Sequence, residues 1–262
     1  KQANYVNNLQ NDIHFLDSII NIFNKSEQRK IKTLFFSTHK SSYNDAAVLF
    51  SVSTTKKVNI KDFASTFLQT SSGEIGTHTY ENEIIFELKL PSRNYFIAEK
   101  EGIVFGSKSK ILIQDAIRQF GAKSNLLNNP AFSKLQKTTS NSAIANLYYN
   151  FNNLLDLTEV YGNEKQKKNI FLNHFSDWAA TDIFIKNNSF FANGLLHTND
   201  KGNFLSTLKN QKGASHDICE VLPQNTSLLF EICISNVKSF TDKKNVFLQK
   251  HNAWPIWRQC LK

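Results

Sequence analysis

The chain has 262 residues, 40% of them hydrophobic, 12% aromatic and 20% charged, a globular composition long enough to bury a core without disulfide or metal staples. That excludes a disordered chain, a collagen and a disulfide-stapled mini-protein, and no run of ~18 apolar residues offers a membrane-spanning helix. Lys and Arg number 31 against 22 Asp and Glu, a net charge of +9 that favours acidic partners such as nucleic acid, anionic lipid or anionic glycan. The positive residues are scattered, and the densest groups are Lys165, Lys167 and Lys168, then Lys243 and Lys244. Neither group has the arginine-plus-aromatic mix that reads bases or phosphates, so there is no specific nucleic-acid signal. A basic surface spread over a lysine-rich chain is the simpler reading.

At ~150 residues per domain the length predicts one or two domains, placed here at residues 1–125 and 126–262. Residues 12–31 open with helical period, Ile13, Leu16, Ile20 and Phe23 recurring at three- and four-residue steps. Two extended runs, residues 33–37 and 46–53, flank a turn-rich stretch at 39–45 and predict a β-hairpin with a long polar loop. Ile60, Phe63, Ala64, Phe67 and Leu68 share a helical face, with Asn59 as cap. Residues 83–90 alternate, putting Ile84, Phe86, Leu88 and Leu90 on one face and Glu83, Ile85, Glu87 and Lys89 on the other. After the break at Pro91-Ser92-Arg93-Asn94, residues 95–99 and 103–105 form a second hairpin around Lys100-Glu101-Gly102. Ser107 or Ser109 caps a helix carrying Leu112, Ala116, Ile117 and Phe120, which Gly121 ends in the left-handed region.

The theme recurs downstream. Residues 143–151 read as a strand, 154–160 as a short helix, and 177–185 with 189–196 as a hairpin over Lys186-Asn187-Asn188. Phe204, Leu205 and Leu208 begin a helix; residues 227–234 read as a strand leading into a helix that ends near His251. The recurring order predicts superposable hairpin-plus-helix units in residues 33–121 and 143–250. The fold class is α+β: antiparallel sheets built from repeated β-hairpin-plus-helix units, with helices covering one face. The phenylalanines in strand-like runs, Phe35, Phe36, Phe50, Phe190 and Phe191, read as core, with an apolar groove for lipid or peptide as the alternative.

No constellation of reactive residues meets the spacing its chemistry needs, and no catalytic, cofactor-binding or metal residue is assigned. Gly102-x-x-x-Gly106-Ser107-Lys108-Ser109 follows a strand and opens a helix, as a phosphate-binding loop does. Its glycines are one residue too close and Ser107 precedes the lysine, so a capped helix explains it better and no nucleotide binding is expected. Glu81, Glu83 and Glu87 offer carboxylates for a glycosidase, Glu83 and Glu87 sharing a strand face; a polar face in water is the simpler reading. His174, Asp177 and Asp182 form a conceivable metal group without supporting spacing. His39 and Asp45 share a loop with Ser41 and Ser42, yet no G-x-S-x-G elbow accompanies them. The other histidines are isolated. Cys219, Cys233 and Cys260 match no zinc pattern; Cys219 and Cys233 span a short loop suited to a disulfide in an oxidising compartment, against three free thiols in the reducing reading. The polar start at Lys1 resembles no apolar leader, which leaves a leader removed by processing or a cut of a longer chain, and the apolar weight of Trp254, Ile256 and Trp257 near the end favours the cut.

Four segments carry a resemblance. The run Ile103-Val-Phe-Gly-Ser-Lys-Ser-Lys-Ile-Leu-Ile-Gln-Asp-Ala-Ile-Arg118 resembles a recurrent strand, Gly-Ser turn and helix. Leu127-Asn-Asn-Pro-Ala-Phe132, Trp178-Ala-Ala-Thr-Asp182 with Ala192-Asn-Gly194, and Leu222-Pro-Gln-Asn-Thr226 follow it. Together they resemble a family of large extracytoplasmic envelope proteins of unknown function, periplasmic or lipid-anchored, found in Bacteroidota and other Gram-negative bacteria. The likeness covers roughly residues 95–235 and its motifs are structural ones. It implies a chain about twice this length behind a lipoprotein or membrane anchor, and supplies no catalytic residue. The functional expectation is an extracytoplasmic, non-enzymatic binding or assembly module of a bacterial cell envelope. Its partners would be another envelope protein or an anionic glycan or lipid, with membrane association only through an anchor outside this range. The alternatives are a glycan-acting hydrolase, marked by perturbed acids in one cleft, and an apolar-ligand carrier, marked by a phenylalanine-lined cavity.

Overall fold

The computed structural model describes residues 2–24, 31–42, 45–55, 58–69, 73–91, 93–161, 174–198, 202–213, 220–229 and 231–252. The chain divides into two compact units, residues 1–125 with 156–163, and residues 126–155 with 164–262. The fold is α+β, each unit built on its own antiparallel sheet. Among the described residues no helix is long and apolar enough to cross a membrane.

In the first unit α1 (Gln2–Asn24) precedes the hairpin β1 (Ile31–Ser42) and β2 (Asp45–Thr54). Next come α2 (Ile60–Gln69), the strands β3 (Glu74–Tyr80), β4 (Glu83–Lys89), β5 (Asn94–Lys100) and β6 (Ile103–Ser107), and α3 (Lys110–Gln119). The six strands lie in the order β1-β2-β6-β5-β4-β3. Asn59 caps α2, its side chain accepting from the Lys61 amide at 3.1 Å. The β3–β4 and β5–β6 turns are two residues long, and both residues of each have positive φ (Glu81 47°, Asn82 65°; Glu101 51°, Gly102 82°), the twist that tight hairpins require. Strand β3 escapes a sequence reading because Gly76 and alternating polar residues dilute its apolar signal; pairing with β4 over all seven residues holds it.

The expected long loop at 39–45 is largely strand: Ser42 pairs with Asp45, so only residues 43–44 connect β1 to β2. The expectation for α1 holds at Leu16, which is buried, and at Ile20, which packs against the core, but not at Ile13. Ile13 is 54% exposed, and the buried stripe is Asp12, Phe15, Leu16 and Ile19. A charged residue belongs to that stripe because the Tyr95 hydroxyl donates to Asp12 Oδ1 at 3.0 Å and the Arg93 guanidinium stands 3.7 Å from the same oxygen.

Helices cover both faces of this sheet, where one was expected. Helices α1 and α2 bury Phe50, Val52, Phe86, Leu88, Tyr95, Ile97 and Val104 on one face. On the other, Ile113 and Ile117 of α3 bury Ile85, Ala98 and Phe105. Two covered faces explain why Ile85, assigned to the solvent side of β4, is fully buried, while Ile84 near the β3–β4 turn is 51% exposed. Gly121 does not end α3 in the left-handed region; its amide donates to the Arg118 carbonyl at 3.1 Å, and the helix closes on Phe120 in right-handed geometry.

The second unit contains α4 (Pro130–Gln136), β7 (Ala145–Asn150), residues 151–155 of α5 (Phe151–Tyr161), the hairpin β8 (Trp178–Lys186) and β9 (Ser189–His197), a 3-10 turn at Phe204–Leu208, and α6 (Val237–Lys250). Its sheet runs β7-β8-β9. The two stretches share hairpins and helices but pair differently: β2, before α2, pairs with the last strand β6, whereas β7, before α5, pairs with the next strand β8. The strand expected at 227–234 is absent among the described residues. Leu228 there is 87% exposed, with no neighbouring strand to take up its backbone hydrogen bonds.

Two outcomes are expected for the first unit. Phe86→Ala removes a ring from between the sheet and α1–α2, and urea unfolding should show a loss of ~3–5 kcal/mol. Burial raises the Asp12 carboxyl above the ordinary range and outweighs the lowering by the Tyr95 hydroxyl, Lys108 and Arg93. A raised folded value means that this contribution is complete below the unfolded carboxylate range, near pH ~4, and is lost as pH rises through the folded value. Asp12→Asn should therefore flatten the fall in urea midpoint as pH rises above ~4; slopes identical to the parent's would show that Asp12 titrates as an ordinary carboxylate.

Candidate functional site, an uncharged sheet face in the second unit

The sheet of the second unit is anchored from one side. Asn129 caps α4, its side chain accepting from the Ala131 and Phe132 amides at 3.0 and 3.1 Å, and Pro130 occupies the first helical position. Phe132 is thereby aimed onto the sheet, its ring 5.1 Å from both Tyr148 and Trp178. Asp182 fastens the approach of the chain to β7, accepting from the Ser140 amide at 2.9 Å and Asn146 Nδ2 at 2.6 Å. The segments that carried the resemblance are thus structural here: a capped helix, its aromatic anchor and a carboxylate staple.

Directly opposed residues in an antiparallel sheet point to the same side. Trp178, Ala180 and Tyr148 face α4, so the register assigns the other side to Ala145, Leu147 and Tyr149 of β7, Ala179, Thr181, Ile183 and Ile185 of β8, and Phe190, Ala192, Gly194 and Leu196 of β9. None of these eleven residues is charged, although at the chain-wide fraction of 20% about two would be. Large apolar side chains here stand in solvent: Phe190 is 66% exposed, Ile185 60% and Leu196 48%. Among the described residues no hydrophobic cluster forms on this side. An exposed apolar surface of this kind marks an interaction site. Sequence reading took Phe190 and Phe191 for core; both are exposed, as are Phe35 and Phe36, and of that group only Phe50 is buried. A strand pattern shows which residues share a side, but not which side is covered.

The same unit holds an open cleft of about 430 Å³, lined by Phe175, Phe204, Leu205 and Leu208 together with Lys212 and Glu231. Cys233, a free thiol, also lines it; Cys219 and Cys260 lie outside the described residues, as do Lys165, Lys167, Lys168, Trp254, Ile256 and Trp257.

The other candidate groups are not gathered into one site. Lys108 pairs with Asp45 at 3.1 Å, and Ser107 Oγ accepts from the Ser109 amide at 3.1 Å while donating to the Val48 carbonyl at 2.8 Å. Ser109 stands at the N-cap of α3. His39 meets Ser37 at 2.8 Å, and Ser41 donates to Asp45 at 3.2 Å, so His39 and Asp45 do not address one serine. Glu81 sits in the β3–β4 turn and Glu83 pairs with Lys100 at 3.8 Å. Glu87 meets His78 Nε2 at 2.9 Å and accepts from Asn94 at 2.7 Å; these hydrogen bonds, the His78 one foremost, hold its carboxyl below the ordinary range against the opposing effect of burial. His174 stacks on His251 with ring centres 3.8 Å apart, Asp177 accepts from Asn203 at 2.9 Å, and Asp182 belongs to the β7 staple.

No protein-family model, no curated protein and no solved structure matches this chain.

Gly194 allows β9 to lie against β8 at this face. A Cβ there would stand 2.7 Å from the Ala180 carbonyl oxygen and 2.9 Å from Thr181 Oγ1, inside van der Waals contact with backbone. Gly194→Ala should cost ~1–3 kcal/mol by thermal or urea unfolding, the penalty of forcing a methyl into filled space. An unchanged midpoint would mean that β9 shifts freely along β8.

Proposed function

We propose that the chain is a non-enzymatic binding or assembly module of a bacterial cell envelope, acting outside the cytoplasm through the uncharged face of the β7-β8-β9 sheet. That face carries the reading: five large apolar residues, Leu147, Tyr149, Ile185, Phe190 and Leu196, stand in solvent on it without a single charge. An anionic glycan or lipid would call for lysine or arginine at the contact, so the chemistry of the face favours a protein partner over those two. The envelope location rests on the resemblance of residues 95–235 alone. Glu83 and Glu87, already engaged by Lys100 and by His78 with Asn94, give the glycan-hydrolase alternative less support.

A photo-crosslinking side chain at Phe190, introduced in the source cells, tests both parts. The chain should fractionate with the envelope, and Phe190 should give discrete adducts that the same probe at Glu101, in the β5–β6 turn, does not. Recovery in the cytosol, or equal labelling from both positions, would overturn the proposal.

The cleft at Phe204 favours a second reading, a carrier of a small apolar ligand, since its volume falls in the range of small-molecule sites. A fluorescent fatty acid should then bind saturably and lose at least ~tenfold in affinity in Leu208→Lys; non-saturating binding in both proteins would dismiss this reading.

A further inference from the structure

The strand β9 ends the sheet order and its residues 189–196 are all exposed. Edge strands are ordinarily protected from pairing by charge, proline, a bulge or shortness. Ser189-Phe-Phe-Ala-Asn-Gly-Leu-Leu-His197 is nine residues long, has no Lys, Arg, Asp, Glu or Pro, and pairs with β8 without a register shift. Its residue types are also symmetric about Asn193: small residues flank it, large apolar pairs follow, and a polar residue stands at each end.

We infer that β9 is an interface with a second copy of this chain, the two strands pairing antiparallel about a two-fold axis at Asn193. In that register Ala192 meets Gly194 of the other copy, Phe191 meets Leu195, and Phe190 meets Leu196. Each contact is repeated by symmetry, as an isologous interface demands. Aromatic residues then oppose leucines on both faces of the joined sheet, a favourable cross-strand pairing. The backbone parity agrees. The His197 carbonyl is turned toward β8, accepting from the Asp177 amide at 3.1 Å, so by alternation Phe190, Ala192, Gly194 and Leu196 present their amides and carbonyls outward. These four residues oppose one another in the proposed register and form its hydrogen-bonded pairs. The strand itself carries no charge, so a chain of net charge +9 brings no like charges together there. The product is one six-stranded sheet, in which two uncharged faces lie side by side and remain open to the partner proposed above.

Sedimentation of the full chain up to about 100 µM, the weak end expected for a small interface, reads the association directly. The parent should dimerise. Ala192→Pro, which removes an outward amide on an edge strand, should be monomeric with an unchanged circular dichroism spectrum. Asn193→Cys, placed on the two-fold axis, should form a disulfide-linked dimer under mild oxidation well above the level given by Glu101→Cys, the native cysteines serving as common background. A parent that stays monomeric, an Ala192→Pro variant that dimerises like the parent, or equal crosslinking of the two cysteine variants would each overturn the inference. If the parent is monomeric while Phe190 still crosslinks to another envelope protein, the self-pairing fails and the binding reading stands. If the parent dimerises through Asn193 while Phe190 crosslinks only to a second copy of this chain, the reverse holds.

Discussion

The first unit depends on one stack. Phe15 of α1 lies flat on Tyr95 of β5, ring centres 3.8 Å apart and planes within 6°. Phe67 of α2 meets the edge of Phe15 at 5.4 Å and Phe50 of β2 tilts against it at 5.9 Å, so this ring ties two helices to the sheet. The strand beneath must be bare for it to fit: a Cβ on Gly106 would stand 3.3 Å from the Phe15 ring. The same tyrosine donates to Asp12 one turn earlier in α1, so a single residue of β5 sets both the depth and the rotation of the helix. A hydrogen bond between buried groups specifies more than it stabilises, because its alternative is an unsatisfied carboxylate in apolar surroundings.

The second unit uses the same kind of anchor, Phe132 between Tyr148 and Trp178, yet among the described residues it packs on one side of its sheet only. The contrast gives the two sheets different meanings. Where α1, α2 and α3 cover both sides of the six-stranded sheet, charged residues at its rim, such as Glu83 with Lys100, remain ordinary surface. Where a sheet with apolar residues on both sides is covered on one, the open side presents surface that water solvates poorly, roughly 25 cal/mol for each Å². Leaving that face free of charge preserves its capacity to associate, and an uncharged edge strand beside it extends the same property to the backbone.

The chemically suggestive residues find structural work. Lys108, which imitates a phosphate-loop lysine, holds Asp45 and so ties the end of β6 to the start of β2. Glu87 is fastened between His78 and Asn94, joining three neighbouring strands on one surface. Asp182 pins the loop that leads into β7. In each instance a polar side chain meets the hydrogen-bonding capacity of a neighbouring group, a side chain at Lys108 and Glu87 and a backbone amide at Asp182, a demand that every fold makes regardless of function.

The sequence by itself determined the class of the fold and most of its local elements. Alternation over residues 83–90, the Glu101-Gly102 and Asn187-Asn188 turns and the Asn59 cap act through neighbours a few residues away, and such signals survive without tertiary context. Which face of each element is buried was decided only by the tertiary structure. Asp12 could be assigned inward only with Tyr95, 83 residues later, and Ile85 only with α3 on a side of the sheet that alternation marked as solvent. Strand β3 needed β4 beside it, and the apolar run at 227–234 found no such neighbour among the described residues. The exposure of Phe190, Ile185 and Leu196 is of the same kind: apolar character is written in one residue, whereas burial is a property of what packs against it, and that partner is set by contacts distant in the chain.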